Sequence, residues 1–385
     1  MSPPAEKLRV RSLWVGLAGL ALCAAGAVLS LEQFFRAYLF AYLFWLGVAL
    51  GCLAIVMIHH VTGGAWGLVI RRLLESGTRT IPVMALLFIP LVFGLETLYL
   101  WARPEEVAAD ELLLHKASYL NKPFFLLRAA AYFAVWIALA HQLNKWSRQQ
   151  DATGDERLVR RFQVLSAAGL LLFVLTMSFA SVDWIMSLEP HWFSTIFGVL
   201  IMAGQAVSAF CFVIAVAILL SRTGALSVLT PAHLHDLGKL LFAFVMVWAY
   251  FALSQFLIIW SANLPEEIPW YLKRMTGGWE WVGLAIILMH FALPFLVLLS
   301  RGVKRNANRL ARVALLVFLM RVVDLYWMMA PAYEEGRLRL HWIDLAAVIG
   351  VGGVWVHLFL RQLGKMPLLP QRDPYLEEAL GHGHE

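Results

Sequence analysis

Ten long apolar segments constrain the fold of this chain more than any other feature of its sequence. A helix needs about 20 apolar residues to cross the hydrocarbon core of a membrane. Because lipid offers no hydrogen-bond partners to exposed backbone groups, such runs predict membrane-spanning helices and an all-α integral membrane fold. We place the ten spans roughly at 13–31, 37–59, 81–101, 123–143, 161–184, 192–220, 237–263, 279–300, 310–330 and 343–361.

Composition supports this class. Hydrophobic residues make up 61% of the 385 residues and charged residues 15%, whereas soluble domains average about 45–50% and 25%. The net charge of +6 fits basic cytoplasmic loops and a membrane-lipid environment, and we expect no nucleic-acid partner. Cys23, Cys52 and Cys211 all lie in apolar runs without a CxxC pair, so we expect no metal site, iron–sulfur framework or evident disulfide.

The distribution of basic residues predicts the orientation. An even number of spans puts both termini on one side, and 21 of the 31 Lys and Arg residues fall on that side, against 8 on the other. The positive-inside rule therefore predicts that both termini are cytoplasmic. We expect a single membrane domain over 1–385, with tails at 1–12 and 362–385 around the spans at 13–361. The longer outer loops, 102–122, 264–278 and 331–342, predict a docking surface on the outer face.

A weak internal repeat suggests how the spans are grouped. Spans 5 and 9 each end in a Val-Asp pair followed by a proline seven residues after the aspartate, Asp183 to Pro190 and Asp324 to Pro331. Spans 3 and 7 both lead into Pro-Glu-Glu. Four spans separate the members of each pair, so the sequence predicts two four-helix bundles, spans 2–5 and 6–9, flanked by spans 1 and 10.

Ionisable residues inside the spans need an explanation, because a charge at the bilayer centre costs at least about 2.5–3.5 kcal/mol. Candidates in the outer half and middle of the membrane are Glu96, Arg128, Asp183, His290, Arg321 and Asp324. Candidates for proton uptake near the inner ends are His59, His60, His141 and His357. The outer charges could form interhelical ion pairs or a proton-carrying pocket, and the histidines could relay protons, ligate haem or simply pack.

The segment SVDWIMSLEPHWFST, residues 181–195, concentrates such residues. Asp183 is predicted to end span 5, and His191 to begin span 6 after a turn that contains Glu189 and Pro190. At the outer boundary, a partly desolvated carboxylate could pass protons from the membrane interior to water. Alternatively, Asp183 and Glu189 cap the turn and contact a partner subunit.

This segment, extended to SVDWIMSLEPHWFSTIFGVL (181–200), and HKASYLNKPFFLLRAAAYF (115–133) resemble the quinone-binding membrane subunits of alternative complex III. Of the two subunits of this kind in the complex, the chain is more similar to the smaller. Both belong to the polysulfide-reductase-type, NrfD-like membrane family. The resemblance extends over almost the whole chain through its length, ten spans and two-bundle layout.

The resemblance implies a subunit of a bacterial quinol:electron-acceptor oxidoreductase in the cytoplasmic membrane, with a cytochrome c-type acceptor. Implied partners are a sister ten-helix quinone-binding subunit, an extracytoplasmic iron–sulfur subunit and c-type haem subunits. In the family, the sister subunit is the better supported site of quinol oxidation, and the smaller one is proposed to hold a proton path. A quinone, menaquinone or ubiquinone, is the implied cofactor, with haem c and iron–sulfur clusters in partner subunits.

Three functions remain open from the sequence. The chain has no thiolate cluster and no CxxCH haem site, so in a quinol-oxidising complex its electrons must pass to another subunit. Its own part would be quinone contact, a proton path and anchoring. The alternatives are a secondary transporter built from parallel repeats and a purely structural membrane anchor whose charges only form ion pairs.

Overall fold

The computed structural model describes residues 3–333 and 336–381. Regular structure in these ranges is entirely helical, and ten segments are long and apolar enough to cross a membrane. The all-α integral membrane fold is therefore confirmed. The α-helices are α1 Pro3–Leu29, α2 Leu31–Thr62, α3 Leu68–Thr78, α4 Ile81–Leu86, α5 Ile89–Phe93, α6 Leu95–Leu98, α7 Pro104–Ala109, α8 Glu111–Lys116, α9 Lys122–Thr153, α10 Arg157–Trp184, α11 Phe197–Arg222, α12 Pro231–Ala262, α13 Pro269–Arg274, α14 Trp279–Ala285, α15 Leu293–Leu299, α16 Arg301–Lys304, α17 Ala307–Met329, α18 Trp342–Leu363 and α19 Leu376–Gly381.

Eight of the ten spans are built on a single long helix each: α1, α2, α9, α10, α11, α12, α17 and α18. The third span combines α3, α4 and α5, and the eighth combines α14, a π-helical turn and α15. The π-helical turn covers Ile286–Ala292. Short 3₁₀ turns cover Ala65–Gly67, Leu100–Ala102, Met186–Leu188 and Ala330–Ala332.

The spans pack as two four-helix groups. In the first, α2 packs on α3 and α10, and α9 packs on α10 and α4; in the second, α11 packs on α12 and α17, and the eighth span packs on α12 and α17. The two groups meet where α2 packs along α11, and α10 also contacts α11. Side chains from four helices, α2, α10, α11 and α17, therefore face one another between the bundles.

The first and tenth spans, which flank the bundles, form a closely packed pair. Helices α1 and α18 run antiparallel in close contact, and both pack on α2. A Cβ atom on Gly353 would lie 2.5 Å from the Cα of Gly16, and one on Gly19 would lie 2.7 Å from the Cα of Gly350. These glycines allow the close backbone approach that drives helix association in lipid.

The third span begins earlier than the apolar run at 81–101 predicted. It extends over Ala65–Phe93, and all residues of α3 are buried, including Arg71, Arg72 and Glu75. Hydropathy missed this helix because it counts these charged residues as polar, whereas ion pairs between them allow their burial. The chain leaves the span at Gly94, which follows the end of α5.

The predicted tails are more structured than a solvated tail would be. Helix α1 already begins at Pro3, within the region assigned to the N-terminal tail. Beyond α18, residues 364–381 contact the first bundle, and Ala379 of α19 packs against Ala65 and Leu68. Residues 382–385 of the predicted C-terminal tail lie outside the described ranges.

Candidate functional site

Arg128 and Asp183 form a buried ion pair in the first bundle. Arg128 lies in the second turn of α9, and Asp183 in the last turn of α10. Arg128 donates from Nε to Asp183 Oδ2 at 2.8 Å and from Nη2 to Oδ1 at 2.9 Å. The Tyr132 hydroxyl donates to Oδ2 at 2.8 Å, and Asp183 is 0% exposed. Bidentate pairing of this kind fixes both side chains in position.

The remaining contacts of Arg128 complete this cluster. Its Nη1 donates to the Tyr119 carbonyl at 2.9 Å, and its guanidinium lies 3.8 Å from the centre of the Tyr119 ring and 4.3 Å from that of Phe124. Burial, and then the Asp183 carboxylate, raises the pKa of Tyr119 to about 12. The ion pair therefore accounts for the burial of both charges, as the interhelical ion-pair interpretation predicts.

Glu189 joins two outer connections. It accepts hydrogen bonds from Arg274 Nη2 at 2.8 Å and from Lys273 Nζ at 3.0 Å. Arg274 is buried and also donates to the carbonyls of Trp270 and Met328. Burial lowers the pKa of Arg274, and the charge of Glu189 partly opposes that shift. Glu189 thus contacts α13 rather than the membrane interior.

His191 does not begin the sixth span, because α11 starts only at Phe197. The stacking of Trp192 on Trp270, with ring centres 4.8 Å apart, holds this segment outside the helix. His191 Nε2 lies 2.5 Å from Asp110 Oδ2. That hydrogen bond, and then a backbone N–H in the first turn of α8, lowers the pKa of Asp110. His191 therefore links two outer connections at an exposed position.

Glu96 lies beyond the end of the third span, in the short helix α6, and its side chain is exposed. It follows the helix break at Gly94, its side chain is 67% exposed, and it pairs with Lys122 at the start of α9. Hydrogen bonding to Lys122 lowers the pKa of Glu96. The structure thus separates Glu96 from the buried pair of Arg128 and Asp183, although the sequence assigned all three to the outer half of the membrane.

Arg321 and Asp324 form the buried ion pair of the second bundle. Both lie on α17, three residues apart and on one face, and their side chains are 4% and 3% exposed. The pairing predicted from their spacing is therefore confirmed. Arg321 Nε also donates to the Gly204 carbonyl at 3.2 Å. A side chain at position 204 would collide with the guanidinium, so glycine allows Arg321 to reach α11.

A cavity of about 20 Å³ lies beside this pair, between α2, α10, α11 and α17. Its polar lining comes from Gln205, Ser208 and Arg321, and its apolar lining includes Met177 and Trp184. Gln205 Nε2 contacts the sulfur of Met177 at 3.4 Å. Its Oε1 is buried without a hydrogen-bond partner in the described part of the chain. The interface between the bundles therefore contains an unsatisfied acceptor next to a buried cation.

His290 is another buried polar residue without a hydrogen-bond partner in the described part of the chain. It is 0% exposed, lies 4.0 Å from the ring centre of Trp248, and neither ring nitrogen has a hydrogen-bond partner among the described residues. It belongs to the π-helical turn that precedes Pro294. Because a proline ring clashes with the carbonyl four residues before it, here that of His290, the wider turn relieves that clash.

Two of the inner histidines line a second cavity, of about 30 Å³. His59 and His60 lie near the end of α2, and both are buried. The His60 ring stacks on Phe162 with ring centres 4.3 Å apart. His59 Nδ1 is buried and has no hydrogen-bond partner within 3–333 and 336–381. This geometry is suitable for one or two water molecules next to imidazole nitrogens.

The other two inner histidines do not reach that cavity. His141 is exposed on α9. His357 is partly buried on α18, and its Nδ1 lies 2.9 Å from the Arg9 carbonyl of α1. Proton uptake at the inner side stays a prediction, and only His59 and His60 of these four histidines line the inner cavity.

A buried polar network around Glu75 was missed by the sequence reasoning. Glu75 Oε1 lies 3.0 Å from Arg71 Nε, and Glu75 Oε2 lies 2.7 Å from Arg72 Nη1. Ser147 donates to Glu75 at 2.7 Å, and Arg71 Nη1 donates to Asp373 at 2.6 Å. The Arg-Arg-x-x-Glu spacing on one helical face was the available signal, because i,i+3 and i,i+4 charges can pair.

Asp344 was also missed. It lies in the first turn of α18 and is mostly buried. Gln33 Nε2 donates to its Oδ1 at 2.8 Å, and the Tyr326 hydroxyl donates to its Oδ2 at 3.1 Å. With Arg36 these residues line a third cavity, of about 20 Å³. An aspartate inside the tenth apolar run was the signal for it.

Comparisons with known proteins leave the family open: no protein-family model matches the chain, and a search of curated proteins found no match. In the described ranges, no group of three His, Cys, Asp or Glu side chains is arranged to hold a metal ion. The geometry itself distinguishes two kinds of polar site. Charged partners account for the burial of Asp183 and Glu189, whereas Gln205, His290 and His59 keep polar atoms available for another group.

Proposed function

We propose that this chain is an integral membrane subunit of a bacterial quinol:electron-acceptor oxidoreductase of the alternative complex III type. Its contribution is a transmembrane proton path together with anchoring of extracytoplasmic electron-transfer subunits. The observation that carries the proposal is the buried pair of Arg321 and Asp324 beside an unsatisfied Gln205 and a water-sized cavity. Intramembrane charges that adjoin a cavity are typical of proton relays.

The two segments that resemble the family form one structural unit, which supports this proposal. Arg128 and Tyr132 of the first segment both donate to Asp183 of the second. Lys116 Nζ donates to the carbonyl of Pro190 at 2.7 Å. The resemblance therefore falls on residues that contact one another across the first bundle, rather than on unrelated apolar runs.

The cavities favour proton handling over quinone binding in this chain. Their volumes are about 20, 20 and 30 Å³, which suits single waters but not a quinone ring. In this structure the three cavities are too small to hold the ring of menaquinone or ubiquinone. We therefore assign quinol oxidation to the sister ten-helix subunit and no reaction step to a quinone in this chain.

A proton path through these residues would need transient hydration. Gly47 lines the central cavity and His59 the inner one, on the same helix α2. The residues between them are apolar apart from Gly51 and Cys52, and they cover about 18 Å at 1.5 Å per residue. Protons moving between the two cavities would have to cross this apolar stretch on water molecules that enter during turnover.

We propose that the outer face, on the side of the membrane opposite both termini, anchors the partner subunits. The outer connections are tied together by Glu189 with Arg274 and by His191 with Asp110, so they form a fixed surface. An iron–sulfur subunit and c-type haem subunits on that surface would carry the electrons. The excess of basic residues on the other side supports cytoplasmic termini in the bacterial cytoplasmic membrane.

Purification in a mild detergent tests the complex assignment. We expect the tagged chain to bring down a second ten-helix protein, an iron–sulfur protein and subunits that give haem c absorption, identified by mass and by the visible spectrum. A colourless chain that purifies alone, under conditions that preserve its helical content, would refute the complex assignment and favour the transporter alternative.

A further inference from the structure

We infer that the cavity between the two bundles is a binding site for one water molecule that joins α11 to α17. The site is formed by Gln205 and Ser208 of α11 and Arg321 of α17. The inference stands on the cavity alone. Only a role for this water in proton transfer rests on the proposed function.

The polar groups around the cavity match the hydrogen-bonding capacity of water. Gln205 Oε1 is buried and unpartnered in the described part of the chain, so it can accept. The Ser208 hydroxyl donates to the Gly204 carbonyl at 2.9 Å, which leaves its oxygen free to accept. Arg321 carries five N–H donors, and its contacts with Asp324 and Gly204 leave others for the cavity.

One water would therefore accept from Arg321 and donate to Gln205 and Ser208. Buried waters in proteins typically make about three such hydrogen bonds. The alternative, a buried acceptor without any partner, costs about 1–3 kcal/mol of desolvation free energy. The cavity is thus better explained as hydrated than as empty.

The size and surroundings of the cavity select a single water over a larger ligand. A water needs about 10–15 Å³ of this kind of volume, and the cavity has about 20 Å³. The rest of its wall is apolar, including Leu43 and Phe44, apart from the indole Nε1 of Trp184, which is buried without a hydrogen-bond partner in the described part of the chain.

Radiolytic hydroxyl-radical footprinting of the full chain, in its complex or in detergent, tests this site. Radicals formed from a bound water oxidise adjacent side chains that bulk solvent does not reach. Met177 lines the cavity and is 2% exposed, whereas Met57 is 0% exposed and lies away from the cavity wall. We expect Met177 to be oxidised severalfold faster than Met57.

Two variants remove the polar groups while leaving the ion pair intact. Ser208→Ala removes one acceptor with little change of volume, and Gln205→Leu removes the other. We expect the double variant to lower Met177 oxidation to the rate of Met57, without changing oxidation of exposed Met289, which serves as the matched control. If Gln205→Leu fails to fold, the ratio of Met177 to Met57 oxidation in Ser208→Ala is compared with the same ratio in the wild type.

Equal oxidation of Met177 and Met57 in the wild-type chain would overturn the inference. So would unchanged Met177 oxidation in the folded double variant, because the oxidation would then not depend on the polar site. If Met177 is oxidised as expected but Asp324→Asn leaves proton release unchanged, the water site stands and the proposed proton path fails.

Discussion

Asp183 near the end of α10 and Asp324 in the second half of α17 are each paired with an arginine. Asp183 pairs with Arg128 on a neighbouring helix and also accepts from Tyr132. Asp324 pairs with Arg321 on its own helix, three residues away. The first pair therefore joins two helices, whereas the second leaves its arginine available to α11 and the central cavity. We propose a structural role for the first pair and proton transfer for the second.

The structural role of Asp183 predicts a loss of stability on substitution. Asp183→Asn leaves Arg128 buried beside a neutral partner, so we expect the free energy of unfolding to fall by about 3–5 kcal/mol. Glu96→Gln is the matched control, since that pair with Lys122 is exposed and exposed pairs contribute about 0–1 kcal/mol. Denaturant unfolding in detergent measures both. Equal stability of the two variants would contradict the assignment.

Asp373 predicts a link between the C-terminal segment and the inner cavity. It pairs with buried Arg71 and lines the cavity that contains His59 and His60. Asp373→Asn should cost about 3–5 kcal/mol of unfolding free energy and increase the reactivity of these histidines toward a histidine-modifying reagent. Asp236→Asn, in an exposed pair, is the control. Histidine reactivity that matches this control would show that the segment does not close the cavity.

The close glycine contacts between α1 and α18 predict that replacing one of these glycines by alanine destabilises the helix pair. A Cβ on Gly350 would lie 2.8 Å from the backbone nitrogen of Leu20. Gly350→Ala should therefore separate the helices and cost about 1–3 kcal/mol. Gly302→Ala is the control, because its nearest neighbour would be the Ser300 hydroxyl at 3.8 Å. The prediction is wrong if the melting temperatures of the two variants decrease equally.

The contact between Asp110 and His191 predicts a pH dependence at low pH. The pKa of Asp110 is lowered in the folded chain, so its stabilising contribution is present above the usual aspartate pKa of about 3.9. That contribution is lost as the pH falls through the lowered value. The difference in melting temperature between the wild type and Asp110→Asn should therefore decrease as the pH falls through the acidic range and vanish below the lowered pKa of Asp110. Exposed Glu105→Gln is the control; a difference that grows in acid would contradict the assignment.

The sequence predicted the all-α membrane class, the ten spans and the pairing of Arg321 with Asp324, because apolar run length and i,i+3 spacing are local properties. It missed α3, since hydropathy counts Arg71, Arg72 and Glu75 as polar without registering that they neutralise one another. The length of an apolar run therefore predicts a membrane-spanning helix only where the helix contains few charged residues.

The candidate site was predicted less completely than the fold. The sequence selected His290, Arg321 and Asp324 but omitted Gln205 from the site, because an amide inside an apolar run carries no charge to mark it. It also gave Glu96 and Asp183 the same role, although one is exposed and the other buried. Which helix face meets which neighbour depends on tertiary packing, and the spacing of residues does not contain that information.

Proton release by the purified complex, reconstituted in vesicles and supplied with quinol, tests the central claim most directly. Asp324→Asn should lower the rate at which protons cross the vesicle membrane by about 10²-fold or more, as expected when a proton-transferring group is removed, while haem content and subunit composition stay unchanged. Exposed Glu266→Gln is the matched control. An unchanged rate of proton crossing in the intact Asp324→Asn complex would contradict the account and leave Arg321 and Asp324 as a purely structural pair.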